Sequence, residues 1–271
     1  MRPISQMPRQ TAAAIDLVLA DIDDTLTTDG RLPAIAYSAL ETLKAAGLAV
    51  AAVTGRPAGW CDMIARFWPV DGVVGENGAL YFAYEPASRT MRRVYSASAE
   101  ERADNRAKLA RIQARVIAEV PGTAVAADQA YREADLAIDF CEDVAPLGRE
   151  AAERIKAIFE EEGAVARISS IHVNGWFGAY DKLTMTRRFA REVLDSDLDA
   201  VRDRVLYVGD SPNDASMFAQ FPNACGVANV REFLGLIEAE PTWIAKARGG
   251  EGFAEIATII VDARNHLRKT A

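Results

Sequence analysis

The sequence predicts an α/β protein with a parallel-sheet core and an inserted α+β module. Short apolar runs alternate with helical segments towards both ends of the chain, which is typical of βα units. Hairpin-like strands and a long charged helix interrupt this alternation in the middle of the chain. Acidic and hydroxyl residues directly follow several apolar runs, as at Asp21, Thr54 and Asp210. We therefore expect a parallel sheet with a polar site at the ends of its strands.

The first part of the chain alternates strands and helices. Residues 15–20 form an apolar run typical of a buried strand and lead into Asp21-Ile22-Asp23-Asp24-Thr25-Leu26. The predicted elements that follow are a turn-rich flap over 27–31, a helix over 35–46, a strand over 48–53, a helix over 58–67 and a strand over 72–74. Pro33 suits the first turn of the first helix, and Gly47 suits its end.

The pattern changes at residue 80. The predicted elements of this middle part are hairpin strands over 80–84 and 91–95, a helix over 98–120, a strand over 136–141, a helix over 147–162 and strands over 164–168 and 171–174. Antiparallel strands with helices on one face indicate an α+β insert.

The alternation returns after Lys182. The predicted elements are a helix over 183–194, a strand over 204–208, a helix over 213–220, a strand over 224–227 and a closing helix over 252–267. We therefore expect a core formed by residues 11–82 and 181–271, an insert over residues 83–180, and a loose N-terminal tail over residues 1–10.

Composition limits the classes of partner. The net charge is −8, which argues against general binding of nucleic acid or of an anionic membrane surface. The longest apolar stretches, such as residues 257–261, are far too short to span a membrane. Cys61, Cys141 and Cys225 have no spacing typical of a zinc site or a disulfide framework, so we expect a cytoplasmic protein.

The polar residues at the strand ends indicate a metal site. Asp21 and Asp23 are two residues apart, so their side chains share a face of a continuing strand. Two crowded carboxylates favour a divalent cation, because hard cations take oxygen ligands. The matching parts follow in order as Val53-Thr54-Gly55-Arg56, then Lys182, then Gly209-Asp210-Ser211-Pro212-Asn213-Asp214. Because ligands bind at the carboxyl ends of parallel strands, we expect these residues to meet.

These four motifs resemble those of the haloacid dehalogenase superfamily of phosphotransferases. The resemblance implies a Rossmann-like parallel-sheet core with helices on both faces. The insert lies between the second and third motifs, which resembles the type IIB cap of Cof-like, sucrose-phosphate and mannosyl-3-phosphoglycerate phosphatases and of phosphomannomutase. The stretch Glu76-Asn77-Gly78-Ala79 is similar to that subgroup as well. Asp24 departs from the pattern, since relatives commonly have glycine there, and we expect it to cap the following turn.

The resemblance also implies roles for the residues of the first two motifs. Asp21 would be the nucleophile that becomes an aspartyl phosphate. Asp23 would be the general acid and then the base, with its backbone carbonyl on Mg²⁺. Thr54 and Gly55 would hold the phosphoryl group, and Arg56 of the same loop is a candidate phosphate or substrate contact.

The third and fourth motifs would complete the site. Lys182 would neutralise the phosphoryl oxygens and the attacking carboxylate. Asp210 would be a further metal ligand, together with Asp21 and Asp23. Asp214 would orient Lys182 or assist the metal, and Asn213 would contact the metal-phosphate shell. The implied cofactor is Mg²⁺, which prefers few carboxylates, several waters and a substrate phosphate.

The insert offers weaker candidates. His172 and Asn174 alternate along one strand and share a face, so they are candidate substrate contacts of the cap; an ordinary half-buried strand is the alternative. Glu76 and Asn77 either contact substrate or shape a turn.

The function expected from this combination is a Mg²⁺-dependent phosphatase. Its substrate would be a small phosphate ester, a sugar phosphate or a phosphorylated sugar acid, and the enzyme would be a monomer or homodimer. One alternative is phosphomannomutase-like phosphotransfer, which uses the same aspartyl phosphate but needs a cap that holds a second phosphate. The other is a non-catalytic ligand-binding module on the same scaffold, and the presence of both Asp21 and Asp23 speaks against it. A nuclease is disfavoured by the acidic charge.

Overall fold

The computed structural model describes the backbone of residues 1–270 and the side chains of residues 1–266. The strands, numbered along the chain, are β1 (Arg2–Pro3), β2 (Leu17–Ala20), β3 (Ala49–Val53), β4 (Gly72–Gly75), β5 (Leu80–Glu85), β6 (Thr90–Tyr95), β7 (Ala124–Val125), β8 (Leu136–Asp139), β9 (Val165–Ile168), β10 (His172–Trp176), β11 (Val205–Gly209), β12 (Cys225–Gly226) and β13 (Trp243–Ile244). Nine of them form one sheet in the order β1-β13-β12-β11-β2-β3-β4-β5-β6, and all neighbours up to β4 are parallel.

Helices cover both faces of this sheet. The helices of the described chain are α1 (Arg9–Ala14), α2 (Ala34–Ala45), α3 (Ala58–Phe67), α4 (Ala99–Glu119), α5 (Arg149–Glu161), α6 (Lys182–Val193), α7 (Ala215–Gln220) and α8 (Gly249–Thr270), of which all but α4 and α5 cover this sheet. Helices α1, α2, α3 and α8 pack on one face, and α6 and α7 pack on the other. No helix in the described part of the chain is both long and apolar enough to cross a lipid bilayer. The predicted α/β core is confirmed.

The continuous apolar runs are explained by burial of the sheet on both sides. Successive residues of β2 point to opposite faces, so Val18 and Ala20 join the apolar cluster under α2 and α8. Leu17 and Leu19 join the cluster under α6 and α7. All four are at most 5% exposed, which is why the run shows no polar alternation.

The order of the strands brings the sequence motifs together. Strand β2 lies between β3 and β11 and pairs in parallel with both, with Ala20 opposite Ala52 and Val208. The three strands therefore end at the same edge of the sheet. Asp21, Thr54 and Asp210 follow directly at that edge, although they are far apart along the chain.

A second sheet holds strands β7, β8, β10 and β9 in that order, all antiparallel. Helices α4 and α5 cover one of its faces with an apolar cluster that includes Ile112, Ile155 and Val173. The neighbouring residues His172 and Asn174 point to the opposite face. This antiparallel sheet fits the predicted cap.

The hairpin of β5 and β6 lies elsewhere than expected. From the sequence we expect the insert to begin at residue 83, but β5 pairs with β4 and β6 pairs with β5 through Tyr95, so both extend the edge of the main sheet. The change from parallel to antiparallel pairing explains the difference, because it resembles the start of a new module in the sequence. The second sheet and its helices begin after this hairpin.

The N-terminal segment also differs from the expected loose tail. Arg2 and Pro3 pair with Trp243 and Ile244 at the end of the main sheet, and the Arg2 guanidinium lies 4.0 Å from the Trp243 ring centroid. Ile4 is also buried, at 1% exposure. A two-residue strand with isolated apolar side chains is too short to produce a periodic signal, so no sequence pattern indicates it.

Candidate active site

Lys182 joins the first, third and fourth motifs. Its ammonium donates to Asp21 Oδ1 at 3.1 Å and to Asp214 Oδ1 at 2.7 Å, and the residue is 2% exposed. Lys182 is the first residue of α6, where the Asp181 side chain caps the helix by accepting from the Thr184 N–H at 2.7 Å. Burial opposes the charge, but Asp21 and Asp214 raise the pKa of Lys182 above its usual value. Lys182 is therefore a fixed cation.

Three buried carboxylates surround this cation. Asp21, Asp210 and Asp214 each offer an oxygen, and the three oxygens lie within 4.8 Å of one another. Burial, opposed by Lys182 and reinforced by Asp214 and Asp23, raises the pKa of Asp21 to about 8. Burial and the Asp214 charge raise the pKa of Asp210 in the same way. Three carboxyl groups thus crowd around one ammonium and resist ionisation, and all the available ligand atoms are oxygens, so the set fits a hard divalent cation whose charge would favour the ionised forms.

Asp210 and Asp214 differ in their remaining partners. Asp210 accepts from the Thr25 hydroxyl at 3.1 Å and from Asn229 Nδ2 at 3.2 Å. Asp214 has more partners: besides Lys182 it accepts from the Tyr207 hydroxyl at 2.5 Å and from the backbone N–H groups of Asp210 and Ser211. Four donors occupy the lone pairs of Asp214, which favours its role in holding Lys182.

Asp23 is held by an arginine. Arg56 Nε donates to Asp23 Oδ1 and Oδ2 at 2.9 and 3.0 Å. The same guanidinium reaches across to the second sheet, where Nη2 donates to Glu142 Oε1 at 2.6 Å and Nη1 to Asp128 Oδ2 at 3.3 Å. Arg56 is 4% exposed. It therefore forms a buried link between the main sheet and the cap at the predicted general acid.

The second motif lines the same space. Thr54 is fully buried, and its Oγ1 accepts from the backbone N–H of Arg56 at 3.0 Å. Gly55 lies directly under the side chain of Asn77, since a Cβ at Gly55 would be 3.1 Å from Asn77 Nδ2. Asn213 Nδ2 donates to Asn77 Oδ1 at 3.5 Å. The four sequence motifs are thus in contact around one position.

His172 and Asn174 face the motifs from the cap. Each is 2% exposed, and both line a narrow cleft together with Asp21, Asp23 and Gly55. His172 Nε2 lies 2.9 Å from Glu142 Oε2, and Asn174 Nδ2 donates to Asp135 Oδ2 at 2.8 Å. The cleft has a volume of about 10 Å³, so the cap is closed over the motifs in this structure.

A much larger cavity opens beside the cleft. Its volume is about 690 Å³, and its walls come from the main sheet and from the cap. Lys182 and Asn213 line it from the core, and Arg167, Lys156 and Trp176 line it from the cap. It is large enough for a small metabolite attached to a phosphate that contacts Lys182.

Glu76 forms a second link to the cap, which the sequence analysis did not identify. Its carboxylate accepts from the backbone N–H groups of Ala58, Glu133 and Ala134 at 2.9, 2.8 and 2.7 Å. Burial raises its pKa to about 7. Glu76 therefore shapes the loop and holds cap backbone, and its carboxylate oxygens do not face the cleft. The acid and the cap segment are almost 60 positions apart, and no sequence motif relates them.

The comparisons with known proteins agree with this arrangement. Residues 18–105 match the family model described as haloacid dehalogenase-like hydrolase. No curated protein matches the chain. Among solved structures, Thermoplasma acidophilum 0175 superposes with a TM-score of 0.67 at 20% identity, covering 92% of this chain and 98% of that one.

Two solved phosphatases are similar over the same extent. A haloacid dehalogenase subclass IIB sugar phosphatase gives a TM-score of 0.59 at 16% identity, covering 93% of this chain and 99% of that one. The sucrose-phosphatase of Synechocystis sp. PCC6803, solved with sucrose and phosphate, gives a TM-score of 0.60 at 15% identity, covering 91% of this chain and 97% of that one. At these identities the likeness establishes the fold. The resemblance predicted from the four motifs is confirmed to this extent: residues 18–105 match the haloacid dehalogenase-like hydrolase model, and the whole chain has the fold of the subclass IIB sugar phosphatase.

Proposed function

We propose that this protein is a Mg²⁺-dependent phosphatase that hydrolyses a small phosphorylated metabolite through an aspartyl phosphate on Asp21. The observation that carries the proposal is the contact of one buried ammonium, that of Lys182, with Asp21 and Asp214, beside a further acid at Asp210. A nucleophilic carboxylate beside a fixed cation and a cluster of oxygen donors is what phosphoryl transfer requires, because positioning and charge neutralisation supply most of the catalysis.

The metal would be held by Asp21, Asp210 and the backbone carbonyl of Asp23. When bound, Mg²⁺ would neutralise charge on the phosphoryl oxygens. Asp214 would act mainly by orienting Lys182, because its oxygens already accept from four donors.

Proton transfer falls to Asp23. Asp21 attacks phosphorus, the bond from phosphorus to the ester oxygen breaks, and Asp23 gives its proton to the departing alcohol. Asp23 then takes a proton from the water that attacks the aspartyl phosphate, which releases inorganic phosphate and restores Asp21. In the closed arrangement Arg56 Nε donates to both carboxylate oxygens of Asp23, the atoms that must carry and pass on the proton. We therefore infer that substrate binding draws Arg56 off Asp23 before the acid step.

The second sheet would act as the cap. We propose that residues 96–180 move as the cap, with residues 11–95 and 181–271 as the core, so that the hairpin to Tyr95 stays with the core. Opening would admit the substrate to the cleft and to the larger cavity, and closure would exclude water. The substrate is proposed to be a sugar phosphate or a phosphorylated sugar acid, as in the sucrose-phosphatase and the sugar phosphatase with the same fold. We further propose a cytoplasmic enzyme that is a monomer or homodimer.

The test is release of inorganic phosphate from a broad panel of phosphorylated metabolites, with Mg²⁺ and with a chelator. We expect activity that the chelator removes and that Asp21→Asn abolishes. Asp104→Asn, which changes an exposed acid on α4, is the matched control and should retain full activity. Mg²⁺-dependent turnover by Asp21→Asn would refute the assignment of Asp21 as the nucleophile. Absence of phosphate release from every compound of the panel would refute the proposed phosphatase activity.

One observation favours a mutase as the second candidate. Arg149, Lys156 and Arg167 of the cap line the large cavity and could hold a second phosphate. A phosphomannomutase-like enzyme would need a sugar bisphosphate for turnover and would return the phosphoryl group to the sugar. Phosphate release from a monophosphate without any bisphosphate would exclude it.

A further inference from the structure

Asn77 has a buried amide nitrogen without a partner. The residue is 2% exposed, and its Nδ2 has no hydrogen-bond partner among the described residues. A buried N–H group without an acceptor is costly, so such groups in a folded protein call for an explanation. Asn77 also lines the large cavity together with Lys182 and Asn213. An acceptor that arrives with a ligand would satisfy this nitrogen.

The orientation of the amide is fixed by its neighbours. The Ser211 hydroxyl donates to Asn213 Oδ1 at 3.0 Å, which leaves Asn213 Nδ2 as the donor towards Asn77 Oδ1 at 3.5 Å. With Oδ1 facing Asn213, the Nδ2 group of Asn77 must point the other way. In this arrangement the oxygen of the Asn77 amide is paired and its nitrogen is free.

The backbone holds Asn77 in place at some cost. Asn77 has φ 52° and ψ 28°, the left-handed region, which asparagine tolerates better than most residues. Its N–H donates to the Thr54 carbonyl at 3.0 Å, so the side chain is anchored to the second motif. Gly78 next to it lies against the start of α6, since a Cβ there would meet the Asp181 carbonyl oxygen at 2.0 Å. Asn77 is therefore fixed between the Thr54-Gly55 loop and Lys182.

We propose that Asn77 Nδ2 donates a hydrogen bond to the phosphoryl group of the substrate, beside Thr54, the Gly55 N–H and Lys182. This inference rests on the proposed function in that the ligand is a phosphoryl group. The amide adds a neutral donor to a site that already holds three acids, so it binds an anion without disturbing the balance of charge around Lys182. The hydrogen bond serves both chemical steps, because the phosphoryl group keeps this position while its bond passes from the ester oxygen to Asp21 and then to water.

Two variants separate this role from a merely structural one. Asn77→Gly removes the amide and suits the positive φ. Asn77→Asp is isosteric and keeps an oxygen that accepts from Asn213, but it replaces the free donor by an anionic acceptor that repels phosphate. A donor role predicts loss in both variants and a greater loss for Asn77→Asp. If the amide served only to orient Asn213, Asn77→Asp would behave as the unchanged protein.

The experiment measures binding of inorganic phosphate by calorimetry in the presence of Mg²⁺, together with kcat/KM on p-nitrophenyl phosphate. We expect Asn77→Gly to weaken phosphate binding about 10-fold and Asn77→Asp about 100-fold or more. Asn223→Asp is the control: Asn223 is 6% exposed, but its Nδ2 donates to the Asp203 carbonyl at the opposite edge of the sheet. The Asn223→Asp variant should bind phosphate with the affinity of the unchanged protein.

The outcomes distinguish this inference from the proposed function. Unchanged phosphate affinity and kcat/KM in Asn77→Asp would overturn the role of Asn77 and leave the phosphatase standing. Phosphate binding that depends on Asn77, without turnover of any ester by the unchanged protein, would support the role of Asn77 and count against the phosphatase.

Discussion

Arg56 holds the carboxylate of Asp23 and that of Glu142 with one guanidinium, at 2.9 Å from Asp23 Oδ1 and 2.6 Å from Glu142 Oε1. The first carboxylate belongs to the main sheet and the second to the cap. Closure of the cap and the position of the proposed general acid are therefore linked through one side chain. In this closed arrangement both oxygens of Asp23 accept from Arg56 Nε, whereas the first chemical step needs one of them free to donate a proton to the leaving group.

Glu142→Gln should weaken the contact between cap and core and so lower the stability of the protein. Burial opposes its charge, but His172 and Arg56 together lower the pKa of Glu142 to about 2 from a usual value of 4.5. The folded pKa is the lower one, so the stability from ionised Glu142 is full above pH 4.5 and is lost as the pH falls towards 2. Because Glu142 is partly exposed to solvent, its contribution is no more than ~1 kcal/mol.

Urea unfolding of Glu142→Gln between pH 3 and pH 7 tests whether ionised Glu142 stabilises the protein. The variant should be less stable than the unchanged protein at pH 7, and the difference should shrink towards pH 3. Glu150→Gln, an exposed glutamate at the start of α5, is the control and should follow the unchanged protein. A constant difference across the range would contradict the assignment of the Glu142 charge.

Lys182→Met should remove both stability and activity. The variant leaves Asp21 and Asp214 buried without their cation, and breaking such a pair costs about 3–5 kcal/mol. Loss of a fixed charge from the phosphoryl site should lower kcat by about 100- to 1,000-fold. Unfolding by urea and phosphate release measure the two effects on one preparation. Lys108→Met changes an exposed lysine of α4 and should alter neither. A stable, active Lys182→Met protein would remove the basis of the proposed site.

The grouping of the motif residues could be predicted because a polar residue directly after an apolar run marks the end of a buried strand. Asp21, Thr54 and Asp210 each follow a buried strand, and parallel strands end at one edge. The departure at Asp24 has a physical reason in the backbone. Asp24 has φ 54°, the left-handed conformation that glycine adopts most easily and that aspartate tolerates. That explains why aspartate can stand at a position where the family resemblance predicts glycine.

The contacts between cap and core could not be predicted. Arg56 and Glu142 are 86 positions apart, and neither the sequence spacing nor the periodicity relates them. Glu76 lies within a recognised stretch, yet its partners are backbone N–H groups of residues 133–135, which carry no side-chain signal. Long-range polar pairs depend on how two separately folded layers meet. Patterns within one helix or strand do not contain that information.

Magnesium should stabilise the protein through Asp210. A ligand that binds only the folded state stabilises it by about 2.7 kcal/mol at 100 times its Kd. The crowding of the carboxyl groups of Asp21, Asp210 and Asp214 predicts such a gain, and it should be largely lost in Asp210→Asn. Asp199→Asn, a surface acid paired with Arg187, should keep the full Mg²⁺ effect. The measurement is Tm against Mg²⁺ concentration, and an equal Mg²⁺ shift in Asp210→Asn would place the metal elsewhere.

Arg167 offers a test of the substrate class. It stands in register opposite Asn174 on the face of the cap sheet that meets the core, and it lines the large cavity with Lys182. Its guanidinium donates to the Ala166 carbonyl and forms no ion pair with any described residue. If the substrate is a phosphorylated sugar acid, this free cation should bind the carboxylate.

Arg167→Gln should then lower kcat/KM on phosphorylated sugar acids by about 10- to 100-fold, because a hydrogen bond to a charged group is worth about 1.5–3 kcal/mol. The same variant should hydrolyse p-nitrophenyl phosphate and neutral sugar phosphates at nearly the normal rate, since these lack the second anion. Arg106→Gln, an exposed arginine of α4 at 64% side-chain exposure, is the matched control and should leave all three substrate classes unchanged. A loss of equal size on every substrate would assign Arg167 to the phosphoryl group or to the fold. No loss on any of them would favour a neutral sugar phosphate, because the cavity would then hold a substrate with hydroxyl groups alone beyond its phosphate.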